Sequence, residues 1–352
     1  MVKRSFVFAV PGDLATPTGG YAYDRRMIAE LTRLGWHADV VDVGSEFPRP
    51  SSTARALACA RLKATPQDRC IVVDGLALGA LPEAARDLGA SRKLVALVHH
   101  PLALETGLSR DDADALRKSE RAALAAACHV IVTSATTAQL LASDYAVPAE
   151  RITVAPPGVD AVACQEEDRR AGPVALLSVG ALVPRKGYDV LLSALGRIRD
   201  LPWRLTIVGA RDRSPATAAE IEATIAELGF ADRVILAGAV SDARLAALYA
   251  TADVFVLASR FEGYGMAIAE AVAYGKPVVA THAGAVPDTL PCGAGILVQP
   301  DDSAALAAAL RSMVGNDAER RRFAAYARAA ARRLPTWPQS AAVIAQVLEA
   351  LT

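Results

Sequence analysis

Apolar and polar positions along the chain fall into blocks. Short apolar runs lie at Phe6–Val10, Ala38–Val43, Cys70–Val73, Leu94–Val98, Val130–Thr133 and Ile152–Ala155. A polar stretch follows at Ala163–Gly172, with Glu166, Glu167, Asp168, Arg169 and Arg170. A second series then runs through Ala175–Val179, Arg204–Val208, Val234–Leu236, Val254–Leu257, Pro277–Ala280 and Gly295–Val298. Runs this short and continuous predict strands buried on both faces of a parallel sheet. The longer stretches between them, such as Ala216–Leu228 and Ala243–Ala250, predict the helices that cover it.

The pattern predicts an α/β fold with two doubly wound, Rossmann-like domains at 1–162 and 173–333, joined by a linker at 163–172. The tail 334–352 holds Pro335, Trp337 and Pro338, then an apolar-periodic stretch, and is expected to be a helix that packs back on the first domain. Ligands of such sheets bind at the carboxyl ends of the strands, so the two domains are expected to share a central cleft.

Composition narrows the function classes. At 352 residues, two domains are the natural expectation, and a net charge of zero gives no broad attraction to nucleic acid. Any phosphate must therefore be held by local groups. The five cysteines show no metal-ligand or redox spacing, which suits a reducing, cytoplasmic setting. The apolar run after Lys3 and Arg4 is too short for a signal peptide, and no run reaches the roughly 20 residues a spanning helix needs. The stretch Thr53–Ala64 sets Arg55, Arg61 and Lys63 beside apolar residues. A solvated amphipathic face explains it, and peripheral membrane contact is the alternative.

Candidate chemistry gathers after predicted strands. Following Val254–Leu257 come Glu262, Gly263, Tyr264, Gly265 and, eight positions after the first glutamate, Glu270. The order is strand, acidic loop, glycine turn, helix. A helix start approached by glycines offers backbone N–H groups to an anion, and the carboxylates can accept from sugar hydroxyls. That combination suits a nucleotide sugar. After Ala175–Val179 come Gly180, Ala181, Arg185, Lys186 and Gly187. Lys186 can reach a diphosphate as a point charge, and Arg185 can add planar donors; a solvated loop is the other reading.

In the first half, Gly19 and Gly20 open a helix after strand one, which allows close backbone approach to a phosphate or an acceptor, or is an ordinary loop. His99 and His100 end the run Leu94–Val98, where an imidazole suits proton handling or a hydrogen bond to a sugar hydroxyl. Pro156–Asp160 reads alone as a turn. The pairs Asp111–Asp112 and Asp301–Asp302 sit at helix starts, where the dipole favours them. No metal-binding aspartate pair is evident after a strand.

Taken together, Pro156–Asp160, Gly180–Gly187, Ile207–Gly209, Leu236–Val240, Glu262–Glu270 and Gly275–Ala280 resemble the family 4 glycosyltransferases of GT-B fold. The glutamate pair matches that family's E-x7-E motif. The resemblance implies a retaining transfer from a nucleoside diphosphate sugar, UDP- or GDP-linked, to a saccharide, glycolipid or small-molecule acceptor, with no cofactor and no required metal. It assigns Lys186, and less directly Arg185, to the diphosphate, together with the Gly180 turn. Glu262 and the amides of Gly263, Tyr264 and Gly265 go to the donor sugar, Glu270 to the ribose, and the backbone near Val240 to the base. Gly19 and Gly20 match the first domain's glycine loop, and His99, or His100 in the doubled sequence, the histidine that contacts the transferred sugar. Many members carry arginine where this chain has Ala181, which removes one phosphate-facing cation. Two other classes remain: a non-catalytic sugar-nucleotide module, and a nicotinamide oxidoreductase, whose glycine fingerprint is absent.

Overall fold

The computed structural model describes residues 4–162 and 172–351. The expected linker therefore lies, but for Gly172, outside the described residues. Two compact units emerge, Met1–Gly158 with Pro335–Thr352, and Val159–Leu334. The second starts a few residues before the expected linker.

The first unit has six parallel strands: β1 (Ser5–Val10), β2 (His37–Asp42), β3 (Ile71–Asp74), β4 (Leu94–Val98), β5 (His129–Val132) and β6 (Ile152–Val154). Their order is β2-β1-β3-β4-β5-β6. Val7, Ala9, Ile71, Val73, Leu94, Ala96, Val98, Val130 and Val132 bury one continuous core beneath the helices. β2 lies at the edge and is only partly buried, with Val40 exposed.

The second unit repeats the plan with β7 (Val174–Val179), β8 (Trp203–Val208), β9 (Val234–Gly238), β10 (Val254–Leu257), β11 (Val278–Thr281) and β12 (Gly295–Val298). All pair in parallel, in the order β12-β11-β10-β7-β8-β9. Trp203 is buried edge-on to Phe230, with the Arg233 guanidinium 3.8 Å above its ring.

Each order reverses direction once, between β1 and β3 and between β7 and β10. At such a switch point the loops leave the sheet in opposite directions and open a crevice beyond the strands' carboxyl ends. The glycine and charge motifs follow β1, β4, β7 and β10, so the topology brings them to these crevices.

The last helix, Trp337–Leu351, packs on the helix Gly19–Arg33 and belongs to the first unit. Pro156–Gly158 forms the seat for its start. The Pro156 carbonyl accepts from Ser340 Oγ at 2.5 Å, and a side chain at Gly158 would strike the Trp337 backbone nitrogen at 2.1 Å. The turn is thus explained by packing.

Candidate functional site

In the second unit, β7 ends at Val179 and the chain turns through Gly180 into a short 3-10 helix, Pro184–Lys186. Gly187 closes that turn with φ 63° and starts the helix Tyr188–Gly196. Only a glycine fits there: a Cβ would lie 2.0 Å from the Ala258 carbonyl oxygen. This close approach sets the Arg185–Lys186 turn beside the segment after β10, and the Arg260 N–H donates to the Arg185 carbonyl at 2.8 Å.

The two motifs meet as an ion pair. Lys186 Nζ donates to Glu262 Oε1 at 2.6 Å, and the Ser259 hydroxyl donates to the same oxygen at 2.5 Å. Arg185 donates to the Phe261 carbonyl at 2.8 Å and lies 3.6 Å from Glu262 Oε2. All three charged side chains are largely buried. Burial alone would raise the Glu262 carboxyl, but Lys186, Arg185 and the Ser259 hydroxyl outweigh it and hold it below its ordinary value. Glu262 is therefore an ionised acceptor at neutral pH.

Gly263, Tyr264 and Gly265 turn the chain from Glu262 into the helix Met266–Ala273. Gly265 caps that helix in the left-handed region, φ 97°, without a side-chain cap, and its carbonyl accepts from the Ile268 and Ala269 N–H groups at 2.9 and 3.2 Å. Glu270 lies on this helix, half-buried, and Tyr249 Oη donates to its Oε2 at 2.8 Å. Tyr249 stacks on Tyr274 at 5.3 Å and comes from the helix Asp242–Thr251. Burial pushes the Glu270 carboxyl up to about 7; the Tyr249 bond opposes the rise, and Asp160 and Asp242 add to it. Val240 follows β9 half-buried, packs against the core that holds Tyr249, and precedes Ser241, which caps the same helix.

In the first unit, Thr18 Oγ1 caps the helix Gly19–Arg33 by accepting from the Tyr21 N–H at 3.2 Å. Gly20 leaves room for His99, whose ring carbon Cδ2 would meet a Cβ there at 3.3 Å. The structure separates the two histidines. His99 Nε2 lies 3.2 Å from Asp24 Oδ1 and 3.8 Å from Asp74 Oδ2, both on buried carboxylates. His100 Nε2 lies 3.5 Å from Glu105 Oε2, at a more open position.

Asp24, Asp74, Tyr249 and Ser259 were not singled out in the sequence. The sequence offered no metal-binding aspartate pair after a strand, and the structure brings two aspartates together from different elements. Asp74 closes β3 and Asp24 reaches it from the first helix, so that with His99 three donor atoms lie within 4.8 Å of one another. Long-range pairing of β1, β3 and β4 creates this cluster, and no local spacing announces it. Ser259, three residues before Glu262, was within reach of a local reading.

The cations of the helix Ser52–Lys63 meet carboxylates: Arg55 with Glu83 at 4.0 Å, Arg61 with Asp42 at 3.5 Å and Lys63 with Asp87 at 3.1 Å. This explains its basic face by intramolecular pairing. Among the described residues no helix is long and apolar enough to cross a membrane.

Residues 164–330 match the model of the glycosyl transferases group 1, and residues 71–162 that of Glycosyltransferase Family 4. The chain thus carries these two glycosyltransferase domains in succession. It is 33% identical over 271 residues to an MMP alpha-(1->4)-mannosyltransferase of Mycolicibacterium hassiacum, a match covering 73% of this chain and 65% of that protein. It is 34% identical over 244 residues to a D-inositol 3-phosphate glycosyltransferase of Xylanimonas cellulosilytica, covering 65% and 58%. The matches span less than two thirds of both relatives.

Among solved structures, a sucrose-phosphate synthase from Thermosynechococcus elongatus superimposes with TM-score 0.83 at 23% identity, covering 99% of both chains. The Anabaena protein HepE, in complex with UDP and glucose, gives 0.79 at 21% identity, covering 99% of this chain and 100% of that one. The fold is the α/β fold of GT-B glycosyltransferases, two six-stranded parallel sheets with flanking helices.

Proposed function

We propose that this protein is a glycosyltransferase that moves a sugar from a nucleoside diphosphate sugar to a saccharide, glycolipid or small-molecule acceptor, with retention at the anomeric carbon. The observation that carries the reading is the Lys186–Glu262 pair at the β7/β10 switch point, beside a helix start headed by Gly265.

When the glycosidic bond breaks, negative charge grows on the leaving diphosphate. Lys186, with Arg185 next to it, supplies positive charge where that oxygen develops, and a preorganised cation there stabilises the transition state more than the ground state. Arg185 also takes up part of the role of the cation that Ala181 removes. Glu262, held ionised, accepts from hydroxyls of the sugar, and the turn through Gly263 and Gly265 brings N–H groups to the same region. Glu270 accepts from the ribose hydroxyls, with the base near Val240.

Glu262 is already engaged by Lys186 and Ser259, which does not suit it to attack the anomeric carbon. The reading therefore favours same-face substitution assisted by the leaving phosphate over a covalent glycosyl-enzyme. The protein's own cations meet the diphosphate charge, so no metal or cofactor is assigned.

The test is turnover. The protein is incubated with UDP- and GDP-sugars and an acceptor panel, released nucleoside diphosphate is measured, and the product anomer is read by NMR. Release from one donor class with an unchanged anomer is expected. An inverted anomer removes the retaining mechanism, and binding of a sugar nucleotide without turnover in any acceptor mixture supports a non-catalytic module instead.

A further inference from the structure

The cluster beneath His99 sets one imidazole against two buried carboxylates. A carboxylate can only accept, so the His99 nitrogen facing Asp24 Oδ1 at 3.2 Å carries a hydrogen. The same nitrogen faces Asp74 Oδ2 at 3.8 Å. Asp74 Oδ1 is occupied by the Leu76 N–H at 2.7 Å. Asp24 is fully buried, and its Oδ2 has no hydrogen-bond donor. One oxygen of Asp74 lies within 4.8 Å of one of Asp24, so the two carboxylates and the ring share one buried site.

Two buried carboxylates beside one ring make an imidazolium the counter-charge at hand. A neutral ring would leave a buried carboxylate without a counter-charge, at a cost of several kcal/mol. Burial works against charge on the His99 ring, but Asp24 and then Asp74 outweigh it and raise the ring to about 9. Burial, with Asp24 next, raises Asp74 to about 7.

The ring is fixed from the other sides. Tyr23 meets it edge-on at 5.3 Å and is pinned through its hydroxyl to the Ala155 carbonyl at 2.8 Å. Thr133 Oγ1 donates to the His99 carbonyl at 3.2 Å. With Nε2 committed to the aspartates, Nδ1 is the nitrogen left for a ligand.

We propose that Asp24 and Asp74 are positioning residues that keep the His99 ring charged and oriented, so that it serves as a fixed hydrogen-bond donor through Nδ1 to an oxygen of the bound substrate and does not serve as a base. This rests on the glycosyltransferase reading for the identity of the substrate, but the protonation state is a property of the free protein and is tested on it.

The experiment is a proton–nitrogen NMR titration of the histidine rings in the full-length chain, with His99 assigned by His99→Gln. The wild-type ring is expected to remain an imidazolium through pH 8 and to titrate near 9. Asp24→Asn is expected to lower that midpoint by about two pH units, toward the ordinary histidine value. Asp74→Asn is expected to lower it less, and it serves as the second variant should Asp24→Asn not fold. A wild-type midpoint below 7, or one that neither variant moves, overturns the inference. Displacement of the Nε2 proton signal by added Mg2+ or Zn2+ overturns it as well, because the three donor atoms would then hold an ion. With an active donor in hand, turnover should fall on the alkaline side as His99 deprotonates, and Asp24→Asn should bring that fall to lower pH. If no sugar nucleotide is turned over, the functional reading fails while the NMR result still decides the inference.

Discussion

Lys186 Nζ and Glu262 Oε1 lie 2.6 Å apart although 76 residues separate them in sequence, and both side chains are largely buried. The pair joins the loop after β7 to the loop after β10. Removing one partner leaves the other charged in a poorly solvated place.

Lys186→Ala is therefore expected to destabilise the free protein by about 1–3 kcal/mol, less than an unpaired buried charge would cost because Arg185 still faces Glu262 at 3.6 Å. Lys186→Ala with Glu262→Gln removes both charges and should recover most of the loss. Urea denaturation of the wild type and the two variants checks this; a single-variant loss under about 0.5 kcal/mol, the range of ordinary surface changes, contradicts it. The sign with pH follows from Glu262. Its folded value is depressed, so its contribution is present above the ordinary 4.5 and is lost as pH falls through the lower folded value.

Glu270 behaves in the opposite sense. Its folded value is raised from 4.5 to about 7, so through that window the folded unit holds a proton the unfolded chain has lost, and this group's contribution to stability declines as pH rises. If its carboxylate accepts from ribose hydroxyls, nucleoside diphosphate affinity should rise with pH up to about 7 and be roughly tenfold weaker at pH 6 than at pH 8. Tyr249→Phe removes a bond that lowers the Glu270 value and should move the rise to higher pH. Calorimetric titration at several pH values decides; affinity that is flat from pH 6 to 8 excludes Glu270 from ribose binding.

Much of the fold was legible in the sequence. The twelve apolar runs became the twelve strands found among the described residues, because parallel strands buried on both faces need apolar residues at nearly every position. Ends moved by a residue or two; Pro277, for example, precedes β11. The second unit's candidate residues stood out in the sequence because Gly187, Lys186, Glu262 and Gly265 each belong to the loop that follows β7 or β10. The His99 cluster was not, since Asp24 stands 75 residues before His99 and only the β1-β3-β4 order brings them together. Tyr249 was missed for a similar reason: its partner Glu270 lies 21 residues on, on another helix. The doubled histidine was unresolved in sequence because its members differ in their partners, Asp24 and Asp74 for His99 and Glu105 for His100, which the fold brings together.

Gly187→Ala should be more damaging than Gly265→Ala. Both glycines have positive φ, which costs an L-residue about 1–2 kcal/mol. At Gly265 the nearest atom to an added Cβ is 3.4 Å away on Ile268, whereas at Gly187 it is the Ala258 carbonyl oxygen at 2.0 Å. Thermal melts should show a modest loss for Gly265→Ala and a severe loss, or no folded protein, for Gly187→Ala. Equal losses would mean that the β7 turn does not press on β10 as described.

The most direct measurement is thermal denaturation of the wild type, Lys186→Ala and Glu270→Gln with UDP, GDP, ADP, CMP and NAD at millimolar concentration. Stabilisation of the wild type by one nucleoside diphosphate is expected, roughly 2.7 kcal/mol at 100 times its dissociation constant, and it should be lost in both variants. Stabilisation by NAD alone, or by no nucleotide, would contradict a nucleotide-sugar site at Lys186 and Glu262.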